Sequence, residues 1–313
     1  MRKYTAEFIG TALLVFFGCG TAVAATALLG AMGMLAAAFC TLTVAVSFGL
    51  AVTVLTVAFG KISGGHLNPA ISLALWVSGR MSVKDCIFYM IAQFLGGIGG
   101  AALLMVLVGG RTSLAANGYD SLSTFGCAMW AVALIEVLIT FTLIWTVLAV
   151  REGKEFKPVQ AVYTGLAMTV VYLFAYPFTG ASANPARSLG PAIFQEGDAL
   201  SQVWLFIVAP IAGALIAAVL YKLLTGEKKT KETDSEKKGE ALKERMRFGK
   251  KKENREIKKT ENETRPETEK SESIPESSDD KLEEQDSKSP DNFCEAENEV
   301  SQKQESDSPD TDN

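Results

Sequence analysis

The residues with most to say about chemistry are two copies of one triplet, Asn68-Pro69-Ala70 and Asn184-Pro185-Ala186. Asparagine followed by proline reads as a helix start. The asparagine side chain caps the first turn, and proline tolerates the first helical position because its missing N–H would have no partner there. A helix N-terminus also carries positive potential. Covalent chemistry has far less to work with. His66 is the only histidine, so a Ser-His-Asp triad would need that one residue and zinc sites with two histidines are impossible. Cys19, Cys40, Cys86, Cys127 and Cys294 are unclustered and odd in number, which supports neither a disulfide framework nor a CxxC metal site. No catalytic residue, metal or cofactor is expected, and the chain does not read as an enzyme.

The elements that must position these asparagines emerge once the chain is divided. Its 313 residues are 48% hydrophobic, an average of two unlike parts. Residues 1–224 carry 11 Lys/Arg and 8 Asp/Glu and are about 62% hydrophobic; residues 225–313 carry 19 and 27 and are about 12% hydrophobic. The net charge of −5 thus separates into +3 and −8. The first part is too apolar for a soluble globule, and the second has too few apolar side chains to offset the entropy of ordering. A single soluble enzyme is excluded. The expectation is an all-α membrane protein with a disordered, charged C-terminal tail.

Apolar windows of roughly 20 residues, the length of a membrane-crossing helix, fall near 4–27, 34–60, 82–108, 126–150, 159–178 and 200–224. The first follows Arg2 and Lys3, yet no cleavage site with a polar sequel comes after it, so it reads as a retained helix. Lys/Arg concentrate on the N-terminal side, at Arg2, Lys3, Lys61, Arg80, Lys84, Arg151, Lys154, Lys157 and Lys222, against Arg111 and Arg187 opposite. That bias predicts cytoplasmic N- and C-termini.

Two segments, 61–78 and 179–195, are too short to span, and they are copies of one another. At a fixed offset of 116, Gly49-Leu50-Ala51 matches Gly165-Leu166-Ala167, and the ungapped alignment continues through Thr53/Thr169, Gly64/Gly180, the two triplets and Ser72-Leu73/Ser188-Leu189. Glu7 and Glu136 open the two halves in similar contexts. Three spans per half is an odd number, so the copies lie inverted across the membrane. Two half-helices should enter from opposite faces with Asn68 and Asn184 meeting at their tips. The extended stretches before them, Gly64-Gly65-His66-Leu67 and Gly180-Ala181-Ser182-Ala183, must be buried in protein or line a wet cavity. The expectation is a pore.

SGGHLNPAIS and TGASANPARS in these inverted positions resemble the double signature of the aquaporin (major intrinsic protein) family. The likeness covers residues 4–224, including AEFIGTALLVFFGCG, IAQFLGG and NPARSLGPAIF, and is nearest in pattern to bacterial water channels of the aquaporin Z type. It implies six transmembrane helices plus two re-entrant half-helices. Residues 1–224 would form the channel domain and 225–313 a cytoplasmic tail, in a homotetramer of the inner or plasma membrane. It further implies that Asn68 and Asn184 donate to a passing water, and that backbone of Gly64, Gly65, His66, Gly180, Ser182 and Ala183 lines the pore. The positive ends of the half-helices would disfavour protons and cations. By spacing from the triplets, the family's selectivity constriction falls on Phe48, Tyr172, Ala181 and Arg187. The family's water channels usually have histidine where Tyr172 stands and an aromatic pair where Phe206-Ile207 stands, two departures that leave a glycerol-type facilitator as the alternative. Ser188 and Ala192 lack the acidic and basic residues common in the glycerol facilitators, which favours water. Ala181 also lacks the cysteine that makes many relatives mercury-sensitive.

Other features take plainer readings. Glu7 and Glu136 invite a proton relay or a secondary transporter, since carboxylates in lipid are costly. Their matched placement instead predicts structural support of the half-pore segments. His66 is expected to be scaffold rather than a pH switch, Gly96, Gly97, Gly99, Gly100 and Gly213 to allow helices to pack closely, and Asn117-Gly118-Tyr119 to be a simple turn. Arg187 has no ready structural partner. In the tail, residues 225–260 hold 14 basic and 8 acidic side chains, a stretch suited to anionic lipid rather than nucleic acid, with Leu242, Met246 and Phe248 weakly amphipathic. Residues 261–313 hold 5 and 19 and are expected to be solvated.

Overall fold

A backbone in hydrocarbon must satisfy its own N–H and C=O groups, and long apolar runs without alternating patterning do so as helices. The computed structural model describes residues 1–29, 34–110, 113–152 and 159–225 and contains no strand among them. Its helices are α1 Arg2–Leu29, α2 Met34–Ser63, α3 Pro69–Val77, α4 Val83–Leu107, α5 Met129–Glu152, α6 Gln160–Thr179, α7 Pro185–Gln195, α8 Gly197–Gln202 and α9, residues 205–225. Six stretches are long and apolar enough to cross a membrane, the last being Gly197–Thr225, in which a turn at 203–204 separates α8 from α9. The short helices α3 and α7 occupy the segments that sequence marked as too short to span.

The chain divides into two units, Met1–Lys243 and Glu244–Asn313. The expected tail, with its basic stretch and Leu242, Met246 and Phe248, lies outside the described residues apart from Thr225.

Within the first unit, α1 packs on α2 and α4, α2 on α6, and α5 on α6. The α2–α6 crossing is the centre of the repeat. A Cβ on Gly49 would stand 2.7 Å from the Gly165 carbonyl oxygen, and one on Gly165 would run into the Gly49 carbonyl. Thr53 and Thr169 donate back to those same two carbonyls, at 2.9 and 3.1 Å. The other tight crossings follow the same rule. Gly96, Gly97, Gly100 and Gly213 face the carbonyls of Phe8, Ala186, Ala12 and Val137, where a side chain has no room. Gly99 differs, since a Cβ there would meet only the Phe8 ring at 3.7 Å, an ordinary contact. Large apolar side chains such as Leu50, Val54, Val106 and Trp130 point outward, which suits lipid and not water.

Candidate functional site

Each half-helix begins as its triplet dictates. Asn68 and Asn184 are extended N-caps with proline at the first helical position. The Asn68 Oδ1 accepts from the Ala70 N–H at 2.9 Å, and the Asn184 Oδ1 from Ala186 and Arg187 at 3.1 and 3.3 Å. The amide nitrogens cross over: Asn68 Nδ2 donates to the Ala183 carbonyl at 2.8 Å and Asn184 Nδ2 to the Leu67 carbonyl at 2.9 Å. These two bonds tie the tips of the half-helices together. An amide nitrogen carries two N–H groups, so each asparagine keeps one beyond this bond. Two donors and two positive helix ends therefore converge at one point.

The stretches before the caps hold an unusual backbone. Gly64, Gly65 and Leu67 have φ of 90°, 59° and 52°, and their copies Gly180, Ala181 and Ala183 have 74°, 47° and 47°. Glycine accepts this conformation freely; for Leu67, Ala181 and Ala183 it costs about 1 kcal/mol or more each. Buried carboxylates supply the compensation. Glu7 accepts from Ser63 Oγ at 2.6 Å, His66 N at 3.0 Å, and Leu67 N and Gln93 Nε2, both at 2.7 Å. Glu136 accepts from Thr179 Oγ1 at 2.7 Å and from Ser182 N and Ala183 N, both at 3.0 Å. Three donors of each set correspond through the offset of 116, and charge-assisted bonds of this kind contribute about 1.5–3 kcal/mol apiece. His66 fits the same frame, with its Nδ1 3.0 Å from Ser72 Oγ and its ring against Tyr89, much as Ser182 pairs with Ser188 at 2.6 Å.

The four carried-over constriction residues come together. The Phe48 and Tyr172 ring centroids are 4.4 Å apart, and the Arg187 guanidinium lies 5.3 Å from the Phe48 ring. Phe48, Tyr172, Ala181 and Arg187 are all 0% exposed. The Tyr172 hydroxyl donates to the Ser182 carbonyl at 3.2 Å, which leaves that oxygen a second lone pair.

Arg187 has more partners than its sequence context implied. Its Nη1 donates to the Ala115 carbonyl at 2.9 Å and to Asn117 Oδ1 at 2.7 Å, and its Nη2 donates to the Gly180 carbonyl at 3.3 Å. All three acceptors are neutral, so the positive charge is held without being cancelled. Asn117 is accordingly more than a turn residue: it also accepts from Ser188 Oγ at 2.8 Å and donates to the Thr179 carbonyl at 3.2 Å. Arg151 is a counterpart the sequence reading missed. Its Nη2 donates to the Gly64 carbonyl at 2.8 Å, as Arg187 does to Gly180.

A second ring was also missed, although the repeat offset could have found it. Subtracting 116 from Tyr172, Ala181 and Arg187 gives Thr56, Gly65 and Ile71, and adding it to Phe48 gives Thr164. All four line a small cavity of about 10 Å³ that reaches Asn68 and Asn184. Thr56 Oγ1 has no hydrogen-bond partner among the described residues. The cavity and the Tyr172 ring thus lie on opposite sides of the crossed asparagines, as the inverted repeat requires.

Comparison with known proteins agrees with this geometry. The family model described as "Major intrinsic protein" matches residues 1–221. Aquaporin Z of Brucella melitensis is 43% identical over 235 residues, covering 72% of this chain and 99% of the relative, and Aquaporin Z of Rhodopseudomonas palustris is 39% identical over 236, covering 72% and 94%. The X-ray structure of the aquaglyceroporin from Plasmodium falciparum superposes with a TM-score of 0.59 at 23% identity, covering 70% of this chain and 94% of that one, a likeness of fold. With six spans, two capped half-helices and a family match over nearly the whole apolar part, the chain is a multi-pass membrane protein and belongs to the major intrinsic protein family.

Proposed function

We propose that the protein is a passive water channel that moves water down osmotic gradients and excludes protons and ions. The observation carrying this reading is the crossed asparagine pair, which leaves each residue one further N–H where two positive helix ends meet. A water there turns its oxygen toward both donors, and a chain of waters reversed about that point does not carry a proton. Arg187, held by neutral acceptors, adds a positive barrier to cations. Two relatives at 39–43% identity bear the name Aquaporin Z, which supports water over glycerol. Glu7 and Glu136 have both oxygens engaged by donors, so neither is presented as the coupling group a secondary transporter needs.

The N-terminal face, with Arg80, Lys84 and Arg151, is assigned to the cytoplasm of the cell's inner or plasma membrane. We assign the protein to a homotetramer, a reading that its family resemblance supports, and the basic part of the tail to anionic lipid. Stopped-flow light scattering of proteoliposomes tests the reading. A sucrose step should give shrinkage well above protein-free vesicles, and a glycerol step should give slow re-swelling. Shrinkage no faster than empty vesicles would refute water conduction, and fast re-swelling would refute strict selectivity.

A further inference from the structure

We propose that Tyr172 is a latch that closes the pore, and that water passes when the phenol leaves the Ser182 carbonyl. The proposal rests on the water-channel reading and adds a conformational step to it. The repeat provides an internal control. Thr56, Thr164, Gly65 and Ile71 occupy the same four backbone positions as Tyr172, Phe48, Ala181 and Arg187, one repeat away. The first set lines the small cavity, with Thr56 and Thr164 6% and 5% exposed. The second set is wholly inaccessible. Backbone does not explain the difference, because both sides share the left-handed residues, the carboxylate brace and the capped half-helix. Side chains do: a threonine pair leaves a small cavity and a tyrosine–phenylalanine pair fills the matching space.

The contacts of Tyr172 suit a reversible closure. Its hydroxyl reaches the Ser182 carbonyl at 3.2 Å, longer than the usual O–H···O range of about 2.5–3.0 Å, so a water can replace it at little cost. Its ring leans on Phe48 at 4.4 Å with a 34° tilt, and Arg187 covers Phe48. The oxygen that closes the pore thus rests on a carbonyl suited to receive a permeating water, with the Arg187 side chain as its other polar neighbour. A phenol displaced by a water admits a water; a three-carbon polyol needs the ring to leave altogether. Tyr172 is in this account both closure and specificity determinant.

The test uses the full chain, reconstituted at equal and quantified density as wild type, Tyr172→Phe and Tyr172→Thr. Tyr172→Phe keeps the ring and removes the bond. Its water permeability should rise about two- to tenfold, the span of one neutral hydrogen bond, while glycerol stays excluded. Tyr172→Thr copies Thr56; its water permeability should rise further and glycerol should enter. Water permeabilities equal to or below wild type in both variants would overturn the latch and leave the channel reading standing. Failure of all three proteins to exceed empty vesicles would remove the channel reading and the latch together. If Tyr172→Thr does not insert, Tyr172→Phe alone decides.

Discussion

The two halves of the pore share one design and differ in how it is finished. In each, a buried carboxylate holds two backbone N–H groups, a left-handed stretch leads to a capping asparagine, and an arginine donates to the first carbonyl of that stretch. Among the described residues Glu7 has a fourth donor in Gln93 that Glu136 lacks, and the Thr56 ring lines a small cavity where the Tyr172 ring is fully buried. Inverted symmetry thus fixes the frame, which must hold strained backbone in lipid, and leaves the lining side chains free to set what passes.

That comparison can be broken at its centre first. Gly49→Leu and Gly165→Leu each drive a side chain into the opposite helix's backbone, so both should abolish stable insertion, seen as loss of the monodisperse detergent-solubilised protein. An intact Gly165→Leu would show that the crossing is not shared equally. Next come the braces. Glu7→Gln sets an amide against four donors and should destabilise by about 3 kcal/mol in denaturant titration, Glu136→Gln by about 2 kcal/mol. The reverse order would contradict the role given to Gln93.

A third contrast concerns charge. Arg187→Ala should raise proton and cation leak by about tenfold or more, measured with an entrapped pH dye, since a unit charge about 4 Å from a passing cation repels it by roughly 1–4 kcal/mol between water and a protein surface. Arg151→Ala, at the Gly64 carbonyl and outside the Tyr172 ring, should raise it less. Asn117→Ala removes one of three acceptors from Arg187 and should cost about 1–2 kcal/mol of stability, with a leak between wild type and Arg187→Ala. The smallest effect is expected from deleting residues 226–313, which should leave water permeability unchanged.

Most of the frame was legible in the sequence because it rests on period and repetition. Apolar windows marked the spans, the offset of 116 marked the half-helices, and Asn-Pro marked their starts. What escaped were partners chosen across the fold. Asn117 looked like a turn because nothing in its neighbourhood reveals an arginine 70 residues later, and Arg187 looked unpartnered for the same reason. Gly99 looked like its neighbours because helical phase alone decides which glycine meets a backbone. The Tyr172 bond to Ser182 was hidden because type and spacing place a tyrosine near a carbonyl without showing that it closes on it.

The central claim is that water crosses the membrane past the crossed asparagines and the two half-helix ends. It is tested most directly by the osmotic water permeability of full-chain proteoliposomes measured over a range of temperatures. The account predicts a permeability well above that of protein-free vesicles with a markedly weaker temperature dependence, because water in a lined pore keeps its hydrogen bonds. A permeability and temperature dependence matching the bare bilayer would contradict it.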